Sequence, residues 1–262
     1  MKPGSYTGAI LGQRPRYPYV VNQDSSQWDR LHLWFPFEPA MGERQLDLAG
    51  FRVGTLDQNT FQSQPLLNDE LDFVAPNGDF QVGFFTAPNV GTVSFWISTT
   101  DGGATLTRIM GLETLFEIRK VADGTLVNEF HVSGVGPAST TAINDGRLYH
   151  CVMTWDIDAP LWKVYVDGVL ETSTSAPTLS SPTDQALTIG GVTTGAGDFW
   201  TGTLADLKLW VDREFTDADA WQLFDPPTRW ELAYELYRIF YSFPPAVVVD
   251  TFIPAGGHMG IN

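Results

Sequence analysis

Tyr149-His150-Cys151-Val152-Met153-Thr154-Trp155-Asp156, followed by Trp162-Lys163-Val164-Tyr165-Val166-Asp167-Gly168-Val169-Leu170, reads as two alternating β-strands. Val152, Thr154, Val164 and Val166 are β-formers, and Asp158-Ala159-Pro160 supplies the turn between the strands. The Asp167-Gly168 pair then provides the positive φ that a tight turn needs. Cys151, the chain's single cysteine, sits inside this alternation, which predicts a small buried hydrophobe and excludes an intramolecular disulfide.

Working outward, Arg30 to Glu38 and Gly91 to Ile97 alternate in the same way. Thr105 to Met110, Phe116 to Val121 and Val127 to Val132 read as short antiparallel strands separated by Asp-Gly and Gly turns. Thr216-Asp217-Ala218-Asp219 sets up a capping box, and the short helix it starts stops at Asp225-Pro226-Pro227. Residues 1–28, rich in Gly, Pro, Tyr and Arg without period, are expected to form an extended arm. Residues 225–262 form a tail containing Trp230, Tyr234, Tyr237, Phe240, Tyr241 and Phe243, which needs cover from the domain's own sheet or from another subunit.

Composition narrows the classes of function. At 262 residues, with 13% aromatic and 18% charged residues, the chain fits one large-cored domain with terminal extensions. Its net charge of −16 argues against nucleic acid, which needs clustered Lys and Arg. Lys2, Arg14 and Arg16 stand in residues 1–23 without any acid, so that arm carries +3 and the remainder −19. Such an arm lies either in solvent or across an acidic neighbour. No apolar run has the length of a membrane span, and the N-terminus lacks a signal-peptide pattern.

The hairpin resembles the W-H-x-V-x-T-W-D … x-Y-V-D-G-x-L segment of laminin-G-like domains, in the concanavalin A-like lectin and glucanase superfamily. Further likenesses follow in family order. Leu31 to Phe37 is similar to the opening strand, Glu70 to Phe80 to the L-x-F-D-G strand and turn, and Gly91 to Ile97 to T-I-S-F-W-V. Leu187-Thr188-Ile189-Gly190, Phe199 to Trp210 and the Thr216 helix complete the set. The resemblance implies an all-β, antiparallel jelly-roll β-sandwich at residues 29–224. The Asp225 to Leu232 segment also looks like tails that follow such domains in phage-encoded proteins.

Chemistry is sparse. Glu70-Leu71-Asp72-Phe73-Val74-Ala75 is similar to the E-I-D-F-E active-site strand of jelly-roll glucanases, but Val74-Ala75 replaces the second catalytic Glu that retention requires. A non-enzymatic protein is therefore expected, with Glu70 a sheet-surface or turn residue. His32, His131, His150 and His258 show no metal-ligand spacing, and His150 is expected to be a hydrogen-bonded sheet histidine. The resemblance implies a structural calcium held by Asp206 and Glu38, against the plainer alternative of Asp206 paired with a nearby Lys or Arg. Trp162, Tyr165, Trp200 and Trp210 form either a sugar-stacking platform or, as is commoner for alternating Trp, core.

The function expected from these readings is a non-enzymatic phage virion structural protein, a capsid decoration or accessory surface protein anchored through its termini. It would be made in the host cytoplasm and contact other copies of itself and other virion proteins. The alternative is a carbohydrate-binding adhesion or receptor-binding protein that meets a cell-surface glycan.

Overall fold

Strand Tyr149–Asp156 sends Tyr149, Cys151, Met153 and Trp155 into one buried cluster, while Val152 and Thr154 are buried on its other face. A strand apolar on one side and covered on the other implies two sheets and an additional layer. The computed structural model describes residues 19–37, 41, 43–50, 52–57, 60–62, 70–73, 79–86, 88–102, 107–112, 116–130, 134–159, 161–174, 184–191, 199–225, 228–229 and 232–235.

In chain order the strands are β1 (Tyr19–Val21), β2 (Leu31–Phe35), β3 (Arg44–Leu46), β4 (Val53–Asp57), β5 (Thr60–Gln62) and β6 (Glu70–Phe73). Then come β7 (Asp79–Thr86), β8 (Val90–Ser98), β9 (Thr107–Leu112), β10 (Phe116–Lys120), β11 (Leu126–Phe130) and β12 (Gly134–Ala138). The last are β13 (Tyr149–Asp156), β14 (Leu161–Val166), β15 (Val169–Thr174), β16 (Asp184–Ile189), β17 (Gly202–Val211) and β18 (Ala233–Glu235). Helix α1 (Asp217–Phe224) lies between the last two strands.

One sheet runs β12-β11-β10-β9-β16-β7-β4-β3 and the other β15-β14-β13-β8-β17-β6-β5, with β2 also paired to β17. The paired strands are antiparallel, so the all-β sandwich expected from the sequence is the observed fold. Between the sheets lies a core in which Phe80 meets Phe35 and Phe37 edge-on at 4.8 and 5.2 Å. Cys151 is fully buried there. So are Trp162 and Trp200, while Tyr165 and Trp210 are buried on the opposite side of the second sheet. These four aromatic side chains therefore pack the interior and offer no stacking platform.

The outer face of the second sheet is roofed by α1 and by the segments flanking residues 29–224. Thr216 and Asp219 form the reciprocal capping box expected of that sequence. Phe215, Ala220 and Leu223 pack on Val152, Tyr165 and Trp210. From the other side, β1 pairs with β18, Leu232 packs on Trp34, and the Trp210 indole donates to Gln27 O at 2.7 Å. The packed unit thus extends beyond residues 29–224 in both directions. The arm at 1–18 and the tail at 236–262 lie outside the described residues. Among the described residues no helix is long and apolar enough to cross a membrane.

Candidate functional site

The outer face of the first sheet combines polar groups with exposed apolar side chains, the Phe84 ring and the paired Leu46 and Val53. Its register places Arg44, Thr55, Gln81, Thr188, Gly111 and Glu117 in a single transverse row across β3, β4, β7, β16, β9 and β10. The neighbouring row, Leu56, Phe80, Ile189, Met110 and Ile118, points into the core. Period-two alternation therefore separates this row from the core row across five strands, while on β3 the buried residue is Gln45 and the paired Leu46 and Val53 are exposed on the outer face.

At the β9–β10 end of the row, Glu117 is fully buried although it lies on the outer face. Arg108 and Arg119, cross-strand partners of one another, both form ion pairs with its carboxylate. Phe199 bridges to Arg108 and lays its ring against Gly191, where a Cβ would come within 2.7 Å of that ring. Thr188 Oγ1 donates to Gly191 O at 2.9 Å. Gly111 is required for close packing, because a Cβ there would sit 2.7 Å from Phe116 O.

At the β7 end the chain carries a bulge. Strict alternation from Gln81 would turn Phe84 inward, but the register shifts between Leu187 and Thr188 and Gly83 adopts φ 94°. Phe85 consequently enters the core, and Phe84 stands 77% exposed. Around this ring stand the exposed amide of Gln81, held by Asp79 at 3.2 Å, and the hydrogen-bonded pair Thr86 and Asp184. A flat apolar ring on a strand with an exposed amide and an exposed hydroxyl–carboxylate pair has the composition of a site for a polyhydroxylated ligand. The sequence signal for it was a glycine within a strand just before two phenylalanines.

The residues singled out in advance lie elsewhere. Asp206 is buried under the roof of the second sheet, at a β17 bulge where its φ is 49°. Its carboxylate accepts from the Trp34 indole at 2.8 Å and forms an ion pair with Lys208. An ammonium already neutralises that carboxylate, so the described residues there do not fit a calcium ion. Glu38 lies outside the described residues, as do the side chain of Glu70 and residues 74–78. Among the described residues no group of three or more His, Cys, Asp or Glu converges to hold a metal.

His131 and His258 also lie outside the described residues. His150 hydrogen-bonds Ser94 Oγ through Nε2 at 2.9 Å and tilts against Trp96. Burial, reinforced by Lys208 and Arg229, holds its pKa down to about 3. His32 approaches Arg52 at 2.8 Å, and its pKa is lowered first by burial and then by that guanidinium.

A two-sheet antiparallel sandwich with a polar outer face belongs to the architecture of lectins and their relatives, and the comparisons agree. A laminin-G family profile, described as the concanavalin A-like lectin/glucanases superfamily, matches residues 74–220, and the chain belongs to that superfamily. No curated protein sequence matches it. Among solved structures it is similar to the binding domain of Paraclostridial Mosquitocidal Protein 1, at 13% identity and TM-score 0.61 over 75% of this chain and 52% of that one. It is also similar to domain 4 of AbnA, an extracellular arabinanase from Geobacillus stearothermophilus, in complex with arabinotriose (15%, TM-score 0.59, 75% and 98%). A third similar structure is the binding domain of botulinum neurotoxin DC in complex with SialylT (15%, TM-score 0.59, 76% and 52%). The chain thus spans about half the length of the toxin domains, and at these identities the likeness is one of fold.

Proposed function

We propose that this protein is a non-enzymatic glycan-binding module of the adhesion or receptor-binding kind, and that its ligand lies across the outer face of the β12-to-β3 sheet. The observation that carries the reading is Phe84, turned out of the sandwich by the Gly83 bulge beside the row of polar groups. A sugar ring offers an apolar C–H face to such a ring and hydroxyls to Gln81 and the groups around it. The similar structures support this reading: one was solved with arabinotriose and another with SialylT, and several are binding domains.

The test is a glycan panel read by calorimetry on the full chain. Phe84→Ala is expected to weaken the best ligand at least tenfold while leaving the melting temperature within a few degrees. Equal binding by the variant, or no bound glycan in the panel, would remove the face from consideration. Display of the module on a phage particle through the flanks at 1–28 and 225–262 is a separate proposal, and failure of the full chain to co-sediment with phage particles would overturn it.

A further inference from the structure

We propose that Trp221 forms a second saccharide subsite, on the opposite side of the sandwich, that accepts a neutral sugar ring. It shares with the preceding reading only the class of ligand. Trp221 is on α1 and remains 48% exposed, whereas Trp34, Trp96, Trp155, Trp162, Trp200 and Trp210 are buried. Its position is built. The β14–β15 turn, with Asp167 at φ 50° and Gly168 at φ 77°, passes beneath the indole, and a Cβ on Gly168 would lie 2.9 Å from Trp221 Cε3. Phe224 braces the indole edge-on, with ring centroids 5.6 Å apart.

Polar groups lie on two sides of this ring. Asp217 precedes Trp221 by four residues on the same helix face, is exposed, and is oriented by the Tyr165 hydroxyl, which donates to its Oδ1 at 3.0 Å. Burial keeps that phenol protonated, so the bond persists at neutral pH. Leu170, the cross-strand partner of Tyr165 and 38% exposed, extends the apolar surface beside the helix. On the far side of the turn, exposed Arg147 holds Asp167 at 2.6 Å.

The charge balance selects the ligand. Asp167 and Arg147 neutralise one another, and the Asp167 Oδ1 also accepts from His150 N at 3.0 Å, so the acid offered beside the ring is Asp217. A carboxylate-bearing sugar would meet the Asp217 carboxylate at close range, whereas a hydroxyl can donate to it. An apolar protein partner would leave Asp217 and Arg147 desolvated at the rim, which disfavours that occupant.

The experiment uses the full chain labelled with 5-fluorotryptophan, with the Trp221 resonance assigned from Trp221→Phe. Arabinotriose, lactose and maltotriose are titrated to millimolar concentration alongside sialyllactose and trigalacturonate. At least one neutral oligosaccharide is expected to shift the Trp221 resonance saturably, equally in the wild type and in Phe84→Ala. Acidic sugars should bind at least tenfold more weakly, and Asp217→Asn should narrow that gap. Absence of any saccharide-dependent shift overturns the subsite. So does a shift that follows protein concentration alone, which would mark the ring as a self-association face. If Phe84→Ala has no effect while Trp221 still responds, only the preceding reading falls.

Discussion

His150 shows what burial does to one titratable residue. Its ring is buried with Lys208 and Arg229 as its charged neighbours, and among the described residues its Nδ1 has no hydrogen-bond partner. The unfolded chain protonates this residue near pH 6.5, but the folded one only near 3. The unfolded state therefore binds more protons between those values. Stability is fully present above pH 6.5 and is lost as pH falls toward 3, by about 2 kcal/mol at pH 5. Urea denaturation at pH 7 and pH 5 should show that loss, and His150→Gln should be less stable at pH 7 but less sensitive to acid. Equal pH slopes for the two proteins would mean that the histidine is not the titrating group. Much of this residue's role was legible in the sequence, since alternation put His150 on a strand and the likeness to the laminin-G-like hairpin implied a hydrogen-bonded sheet histidine there. The identity of its charged neighbours was not, because Lys208 and Arg229 come from segments tens of residues away.

Among elements, α1 depends on its first turn. Thr216 accepts from Asp219 N, Asp219 returns a bond to Thr216 N, and Arg213 holds the same aspartate at 2.8 Å. Thr216→Ala is expected to cost about 1 kcal/mol, read as a lower urea midpoint with an unchanged slope. Because Trp221 is carried on the same helix, saccharide binding there should weaken as well. The capping box was readable because its residues are adjacent in sequence. The β7 bulge was not, because a slipped register is a relation between two strands and leaves only Gly83 as its trace. Asp206 and Lys208 stood two residues apart in plain view. What settles their pairing is Trp34, contributed by β2 from the other end of the chain.

Across the whole molecule, the roof decides where the domain can be cut. Residues 29–224 contain both sheets, yet Trp34, Trp96 and Trp210 are covered partly by Leu232, Arg229 and Gln27 from beyond those bounds. Removing both flanks uncovers indole surface and orphans the Trp210 N–H, at a cost of about 3–5 kcal/mol. The 29–224 fragment should therefore melt well below a fragment of residues 19–235. Equal melting of the shorter fragment would show that the roof contributes little.

The pairing of β1 with β18 has a mechanical consequence. Tyr19 lies opposite Glu235, so the chain arrives and departs side by side. Tension applied through the two flanks would peel the ribbon from that end, opening Tyr19–Glu235, Val20–Tyr234 and Val21–Ala233 in succession while both sheets stay unloaded. The ribbon is in this sense a fuse that yields before the sandwich does. For the same reason the domain could be grafted into a surface loop of a host protein across a gap of about 5 Å.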